Sequence, residues 1–347
     1  MRVQIRSLQY GRALASLAVL AQHSLVATTA FVGRPPGMVE AIAGRGFLGV
    51  DFFFVLSGFI IMHAHMHDAR SIEAAARYFT KRLRRIYVPY LPVSVAMIGV
   101  YLLFPSLSRG NRDWGMVTSL TLLPTDAQPA LVVAWTLIHE VMFYAIFSLY
   151  YFVRHFRLLI TSWALAIIAI WSSGATFSAP AVSYLFSPLN LEFIVGVASA
   201  YAFSRLATRW WPFLVCSGLI SIVLFLTIAE PDTYRVWFGI SLAPVITGAA
   251  LLERSRSFKP MRWLLVLGNA SYAIYLVHDP VVSVFIRGSA VLHSWVLSLS
   301  LCIAAGIAFG IVYHFIIEKP AIRIVSSWSS KERVPPGVSG RVGPTGL

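Results

Sequence analysis

Long apolar runs separated by short polar segments recur along the whole chain. A helix of about 20 apolar residues crosses the hydrocarbon core of a bilayer. The pattern therefore predicts an all-α, polytopic transmembrane helix bundle of about ten spans, at 13–32, 47–66, 87–104, 131–153, 157–174, 183–203, 211–229, 235–252, 263–286 and 291–317. The run 120–124 is too short to span and is expected in a loop. Residues 326–347, rich in Ser, Pro, Gly and Arg, are predicted to be a disordered cytoplasmic tail after a transmembrane domain of residues 1–325.

Composition and charge agree with a membrane protein and orient it. Hydrophobic residues make up 58% of the chain, charged residues only 12%, and the mean hydropathy is +0.74. Basic residues are enriched in cytoplasmic segments, so we predict that both termini are cytoplasmic. With that orientation, the cytoplasmic segments hold every basic residue except Arg34, Arg45, Arg109, Arg112, Arg235 and Arg287. The net charge of +14 is thereby explained by topology, and nucleic-acid binding is not expected.

Ionisable residues inside the predicted spans are the candidates for function, because such residues are costly in a bilayer. Arg12 and His23 are eleven positions apart in the first run. That spacing places them on one helix face, ~16 Å apart along the axis, with Arg12 near the cytoplasmic face. The other ionisable groups are predicted to join His23 in a polar cavity in the outer half of the membrane, although interhelical hydrogen bonding is the alternative: Asp51, Glu140, Glu192, His278 and Asp279.

These residue types suggest acid–base chemistry at one side of the membrane and anion binding at the other. Histidine accepts a proton near neutral pH, and a carboxylate on its second nitrogen fixes its tautomer. His23 with Asp51 or Glu140 is therefore a candidate pair for activating a hydroxyl. The basic segment 77–85 is either an anchor that contacts anionic lipids or, together with Arg12, a phosphate clamp.

Two further observations limit the chemistry. His63, His65 and His67 alternate at the inner end of the second run, where steps of two residues point them in different directions. We expect them to be solvated at the membrane interface. No His, Cys and carboxylate group has the spacing of a metal site, so no metal is expected.

Six short motifs occur in order along the chain and together resemble a known family. They are the Arg12–His23 spacing, the stretch 49–59 (GVDFFFVLSGF), Lys81-Arg82 with Arg85-Ile86 and Pro89, Trp135 and Leu137 with Glu140, the stretch 271–278 (SYAIYLVH), and Glu318-Lys319-Pro320. From residue 8 to residue 320 the chain resembles the acyltransferase-3 family. Members of that family are integral-membrane enzymes that O-acylate bacterial surface glycans. The local sequence from Glu140 to Tyr144 resembles that of the short, exopolysaccharide-modifying subgroup.

The resemblance implies an enzyme of the bacterial cytoplasmic (inner) membrane that moves an acyl group, commonly acetyl, from cytosolic acyl-coenzyme A to a sugar hydroxyl outside. The acceptor would be a surface glycan or its lipid-linked precursor, and the coenzyme would be a donor substrate, not a permanently bound cofactor. Arg12, Arg82 and Arg85 are expected to hold the coenzyme phosphates. His23 is the expected general base, acting directly or after an acyl-enzyme step, with Asp51, Glu140 and His278 as the other catalytic candidates.

Two other classes of protein remain open at this point. A secondary transporter, or a flippase of a glycan precursor, would also have many spans and buried charges, but residues 1–170 and 171–320 show no convincing repeat. A structural scaffold for glycan assembly is the third possibility, and buried ionisable groups would be a costly way to build one.

Overall fold

The fold is a bundle of helices, described here from a computed structural model for residues 5–107, 114–228, 231–256 and 259–331. The α-helices of these residues are α1 (Arg6–Phe31), α2 (Gly37–Ala43), α3 (Gly49–His65), α4 (Ile72–Leu103), α5 (Met116–Thr121), α6 (Trp135–Ser148), α7 (Phe156–Ser173), α8 (Pro180–Leu185), α9 (Asn190–Arg205), α10 (Trp211–Ile228), α11 (Pro231–Ser255), α12 (Arg262–Ser289), α13 (Trp295–Tyr313) and α14 (Lys319–Lys331). A π-helical turn, His314–Glu318, joins α13 to α14.

Ten helical segments of the described chain are long and apolar enough to cross a membrane. Each overlaps one of the ten predicted runs, so the prediction of an all-α bundle with about ten spans is confirmed. The segments are Arg6–Phe31, Gly37–His65, Ile72–Leu103, Val132–Tyr151, Phe156–Ser173, Pro180–Arg205, Thr208–Thr227, Arg235–Ser255, Arg262–Leu292 and Trp295–Ser327.

We call the end of the bundle at which α1 begins the basic end. There the Glu253 carboxylate, near the end of α11, accepts the backbone N–H groups of Arg6 and Ser7 at 2.8 and 2.7 Å. A carboxylate satisfies the free N–H groups of a helix N-terminus and complements its dipole. This contact ties the beginning of α1 to the end of α11. The distribution of basic residues predicts that this basic end faces the cytoplasm.

Close backbone contact between α3 and α9 forms the centre of the bundle. A Cβ added to Gly58 would lie 2.0 Å from the Phe193 carbonyl oxygen, and one added to Gly196 would lie 2.0 Å from the Val55 carbonyl oxygen. Only glycine permits this approach, which is typical of packed membrane helices. Beside it, the rings of Phe143 and Phe193 stack with centroids 4.4 Å apart, which fixes α6 against α9.

The regions around α4 and the C-terminus add detail to the predicted pattern. Helix α4 begins at Ile72, capped by the Ser71 hydroxyl, so the basic segment 77–85 is helical and continuous with the third span. Residues 120–124 do not cross the bundle, because α5 ends at Thr121 and Leu122 adopts a left-handed conformation. Residues 326–331 of the predicted tail continue α14, and residues 332–347 lie outside the described part of the chain.

Candidate active site

A cavity of about 110 Å³ lies between α1, α3, α4, α6 and α12. Its walls are largely apolar, with Phe53, Phe54 and Ile60 from α3 among them. The structure therefore brings the predicted phosphate-binding arginines of α1 and α4 to one cavity, which we call the donor cavity. Its polar lining comprises Arg12, Ser57, Arg82, Arg85, Thr136, Glu140, Tyr144, Ser271, Tyr272 and Tyr275.

Arg12 is a cation of the donor cavity that has no acidic partner among the described residues. Its Nε donates to the Ser271 hydroxyl of α12 at 3.1 Å, and its guanidinium carbon lies 6.0 Å from the centroid of the Phe53 ring. No ion pair involves Arg12 in the part of the chain that the structure describes. A half-buried guanidinium held by a hydroxyl and a ring keeps most of its donors available for an anionic ligand.

Arg85, by contrast, is neutralised at the basic end of the donor cavity. Its Nη1 lies 2.6 Å from Glu318 Oε1, and Glu318 is fully buried. The second oxygen of Glu318 lies 2.7 Å from Nδ1 of His314, which begins the same π-helical turn. A π-turn often marks a functional position in a helix. Here it directs His314 and Glu318 towards α4.

Arg82 completes the basic lining of the cavity. Its guanidinium carbon lies 5.8 Å from the Tyr144 ring centroid, and its Nη2 lies 3.5 Å from His65 Nε2. His65 is in turn 2.7 Å from Asp68, and His63 stacks on Phe59. The prediction that His63 and His65 are solvated is therefore wrong, because their rings contact those of Phe203 in α9 and Tyr78 in α4, respectively. His67 is exposed.

Glu140 lies in the donor cavity with Arg12. It accepts hydrogen bonds from the Ser57 hydroxyl at 3.2 Å and from the Tyr144 hydroxyl. In the sequence this carboxylate was a candidate partner for His23. The structure places it instead beside the arginines, because α6 packs against α3 and α4 while His23 faces α12.

His23 and His278 form an imidazole pair on the facing sides of α1 and α12. His23 Nδ1 lies 3.2 Å from His278 Nε2 and 3.0 Å from the Val19 carbonyl oxygen. His278 is fully buried, and its Nδ1 lies 2.7 Å from the Tyr275 carbonyl oxygen. The expected carboxylate partner of His23 is thus replaced by a second histidine, since neither Asp51 nor Glu140 contacts it.

The hydrogen-bond partners of this pair define its tautomers. A carbonyl oxygen only accepts, so His278 carries its hydrogen on Nδ1 and presents a bare Nε2. His278 Nε2 and the Val19 carbonyl oxygen are therefore both acceptors. His23 Nδ1, which lies near both, must carry a hydrogen to donate to them. The neutral His23 ring then has its lone pair on Nε2. This is the arrangement that a general base requires.

Asp51 and Glu192 form a separate buried cluster. The Asp51 carboxylate is fully buried and accepts from Arg235 Nε at 3.2 Å and Nη2 at 3.3 Å. Glu192 is also fully buried, its carboxylate oxygens accept no hydrogen bond from a described donor, and its carboxyl interacts with that of Asp51. Arg235 also lies over the ring of Trp135, 5.9 Å from its centroid. Five of the six ionisable groups expected in one outer cavity therefore divide among three places, and the sixth, Asp279, is partly buried next to His278 in the chain.

Two residues of this region were missed in the sequence. Arg235 was counted with the basic residues of the outer side, at the first position of the predicted eighth span, yet its side chain enters the bundle to bind Asp51; the available signal was a lone cation opening an apolar run. His139 is buried among aromatic rings, with Nδ1 3.4 Å from the Asn190 amide oxygen, and nothing in its spacing distinguished it. Among the described residues, no group of three or more His, Cys, Asp or Glu side chains is arranged to hold a metal ion.

Comparison with known proteins identifies the class of enzyme. Residues 5–315 match the family profile described as an acyltransferase domain, so the chain belongs to the acyltransferase-3 family. It is a multi-pass membrane acyltransferase. Membership of this family favours an acyltransferase over the transporter and the scaffold considered from the sequence.

Its relatives include proteins of similar length and longer ones. The exopolysaccharide production protein ExoZ of Rhizobium meliloti is 29% identical over 315 residues, which cover 85% of this chain and 94% of ExoZ. The acyltransferase MdmB of Streptomyces mycarofaciens is 26% identical, with 93% of each chain covered. The peptidoglycan O-acetyltransferase OatA of Listeria monocytogenes is 25% identical, and the match covers 81% of this chain but 50% of OatA. No solved structure matches the chain significantly.

The Asp51–Arg235 pair makes a testable structural prediction. Arg235→Gln leaves buried carboxyl groups without their cation, and breaking a buried pair costs about 3–5 kcal/mol. We expect a large fall in the unfolding temperature of the detergent-solubilised protein, partly restored in the double variant Asp51→Asn/Arg235→Gln. Arg34→Gln, which breaks the exposed Arg34–Glu40 pair at 3.0 Å, is the matched control and should change little. Equal effects of the two single variants would contradict a buried structural pair.

Proposed function

We propose that this protein is an O-acyltransferase of the bacterial cytoplasmic membrane. It transfers an acyl group, chiefly acetyl, from cytosolic acyl-coenzyme A to a sugar hydroxyl of an exopolysaccharide or another surface glycan. The names of ExoZ and OatA support the acceptor class and the acetyl group. The observation that carries the proposal is that Arg12, Arg82 and Arg85 line one cavity, while His23 lies further along the helix that carries Arg12.

The donor binds with its phosphates at the basic end. Arginine forks match the geometry of phosphate oxygens, and Arg12 has no acidic partner within the described residues. The walls of this cavity are largely apolar, so it receives the pantetheine arm and its acyl group, and the charged nucleotide stays at the mouth of the cavity. The ~16 Å between Arg12 and His23 along α1 corresponds to an extended arm. The thioester then approaches the imidazole pair from the basic end.

Tyr275 lies between the donor cavity and the imidazole pair. Its ring lines the cavity and has its centroid 5.7 Å from that of His278. Its hydroxyl lies 2.8 Å from the Thr136 hydroxyl and 3.1 Å from the Val133 carbonyl oxygen. These contacts hold the ring at the far end of the cavity, where the acyl group would meet the acceptor.

In the chemical step, His23 Nε2 takes the proton of the sugar hydroxyl as its oxygen attacks the thioester carbonyl carbon. The carbon–sulfur bond breaks, and the proton passes to the departing thiolate, giving an ester and the free thiol. The imidazolium formed on His23 keeps its Nδ1 hydrogen bond to the neutral His278. His278 is therefore a positioning residue. Glu140 orients Ser57 and Tyr144 in the donor cavity, and Asp51 holds Arg235.

His23→Ala tests the assigned base. Loss of a general base costs typically 10²–10⁴-fold in rate, so we expect transfer to fall by at least about 10²-fold. The assay uses proteoliposomes with labelled acetyl-coenzyme A at the basic end and measures label on an acceptor glycan together with released free thiol. His23 is half-buried, and the unfolding temperature should stay near that of the wild type. Wild-type transfer by this variant would refute the mechanism, whereas transport of intact solute by the wild type would favour a transporter.

Arg12→Gln tests the donor site. Hydrogen bonds to charged groups contribute about 1.5–3 kcal/mol, so removal of the guanidinium should raise the KM for the acyl donor by about 10–100-fold. The KM for the glycan acceptor should change little. Arg77→Gln, at an exposed position of α4 outside the cavity, removes the same charge from the same end and serves as the control. An equal rise in both KM values, or an equal effect of the control, would contradict this assignment.

A further inference from the structure

A second, larger cavity of about 640 Å³ opens at the basic end. Three chain segments form it: the end of α3 with the turn that follows, the connection between α6 and α7, and the end of α9. We call it the basic groove. Its lining includes six basic side chains and no acidic one among the described residues: His67, Arg70, Arg154, His155, Arg157 and Arg205.

Two of the four arginines of the basic groove are held by aromatic rings, and one of these two also by carbonyl groups. The Arg157 guanidinium carbon lies 4.5 Å from the Tyr201 ring centroid, and that of Arg70 lies 5.0 Å from the Tyr150 centroid. Arg70 Nη1 also donates to the Val153 and Arg154 carbonyl oxygens at 2.9 and 3.0 Å. Cation–π contacts orient a guanidinium without cancelling its charge.

No carboxylate of the described residues neutralises this charge. Within the described chain, none of the four groove arginines takes part in an ion pair, in contrast to Arg85 and Arg235. Asp68, which lies near the end of α3, is bound by His65 and Tyr151. The groove therefore holds a concentrated positive charge at one concave surface.

The basic groove is distinct from the donor cavity. The two share no lining residue. Tyr144 lines the donor cavity and Tyr150 lines the groove, and the rings of Tyr78 and Tyr151 lie between them, with centroids 5.7 Å apart. Tyr78 and Tyr151 are both buried. An anion in the groove would thus be separated from Arg12 by an aromatic wall.

The distribution of basic residues across the membrane does not by itself explain the groove. That distribution requires arginines on one side, as at the exposed Arg77 and Arg209, which lie outside the groove. It does not require four of them, from three segments, to line one concave surface. Leu158 of the groove and the neighbouring Phe152 expose 66% and 58% of their surface, so an apolar surface adjoins the charged one.

We propose that the basic groove binds a phosphate-bearing group at the membrane boundary. Two sources share this chemistry: the headgroup of an anionic glycerophospholipid, whose acyl chains would contact Leu158 and Phe152, and a soluble pyrophosphate-type ligand. Arginine forks bind phosphate oxygens in pairs. The proposal does not depend on acyl transfer, because the groove lies outside the donor cavity.

The test measures binding to the full-length, delipidated protein in detergent. Phosphatidylglycerol and phosphatidylcholine with the same acyl chains are followed by native mass spectrometry, and inorganic pyrophosphate by calorimetry. The variant Arg154→Gln/Arg157→Gln is compared with Arg77→Gln/Arg209→Gln, which removes the same charge from exposed positions outside the groove. We expect the groove variant to lose at least about tenfold in affinity for phosphatidylglycerol or pyrophosphate, and the control to keep wild-type affinity.

The pattern of loss identifies the source of the phosphate. Loss of phosphatidylglycerol binding alone indicates a lipid headgroup, and loss of pyrophosphate binding indicates a soluble ligand. Unchanged affinity for both probes, or an equal loss in the control variant, would overturn the proposal. If the double variant unfolds, as judged from its unfolding temperature, Arg154→Gln alone is the substitute, because its side chain is exposed and has no described partner. These measurements do not involve acyl transfer. They can therefore refute phosphate binding in the groove without refuting the proposed acyltransferase function.

Discussion

A charge buried among apolar helices costs several kcal/mol unless a partner or hydrogen bonds compensate it. In this bundle the compensation is selective. Asp51 is held by Arg235 from α11, and Glu318 is held by Arg85 and His314. Arg12, in the middle of the same polar interior, has a serine hydroxyl and a phenyl ring as its contacts instead. The uncompensated guanidinium of Arg12 is therefore a position at which an anionic ligand gains from binding.

The imidazole pair depends on the same packing. Helices α1 and α12 lie against each other, and a Cβ added to Gly268 of α12 would lie 2.2 Å from the Gln9 carbonyl oxygen. This close approach brings His278 against His23, and backbone carbonyl oxygens then define the hydrogen position on each ring. The charge that develops on His23 during proton transfer is stabilised by a neutral neighbour and a carbonyl dipole. No buried carboxylate is required next to it.

Local patterns in the sequence predicted much of this architecture. Hydropathy located all ten spans, and the eleven-residue spacing placed Arg12 and His23 on one helix face, because both are properties of a single helix. The predicted partner of His23, a carboxylate, was wrong, because the identity of the partner depends on which helices pack against each other. Arg235 was missed because the charge pattern counted it with the outer side of the membrane, whereas its side chain points inward to Asp51. The aromatic cover of His63 and His65 likewise comes from other helices and has no local signal.

In the proposed mechanism, the donor cavity guides an acyl-coenzyme A thioester from the arginines to the imidazole pair. A structure of the protein with a non-reactive thioether analogue of the donor tests it most directly. We expect the coenzyme phosphates to lie against Arg12, Arg82 and Arg85, with the acyl end beyond Tyr275 and facing His23 Nε2. An analogue bound in that orientation would support direct transfer at the imidazole pair. Phosphates bound away from Arg12, or an acyl end directed away from His23, would contradict it.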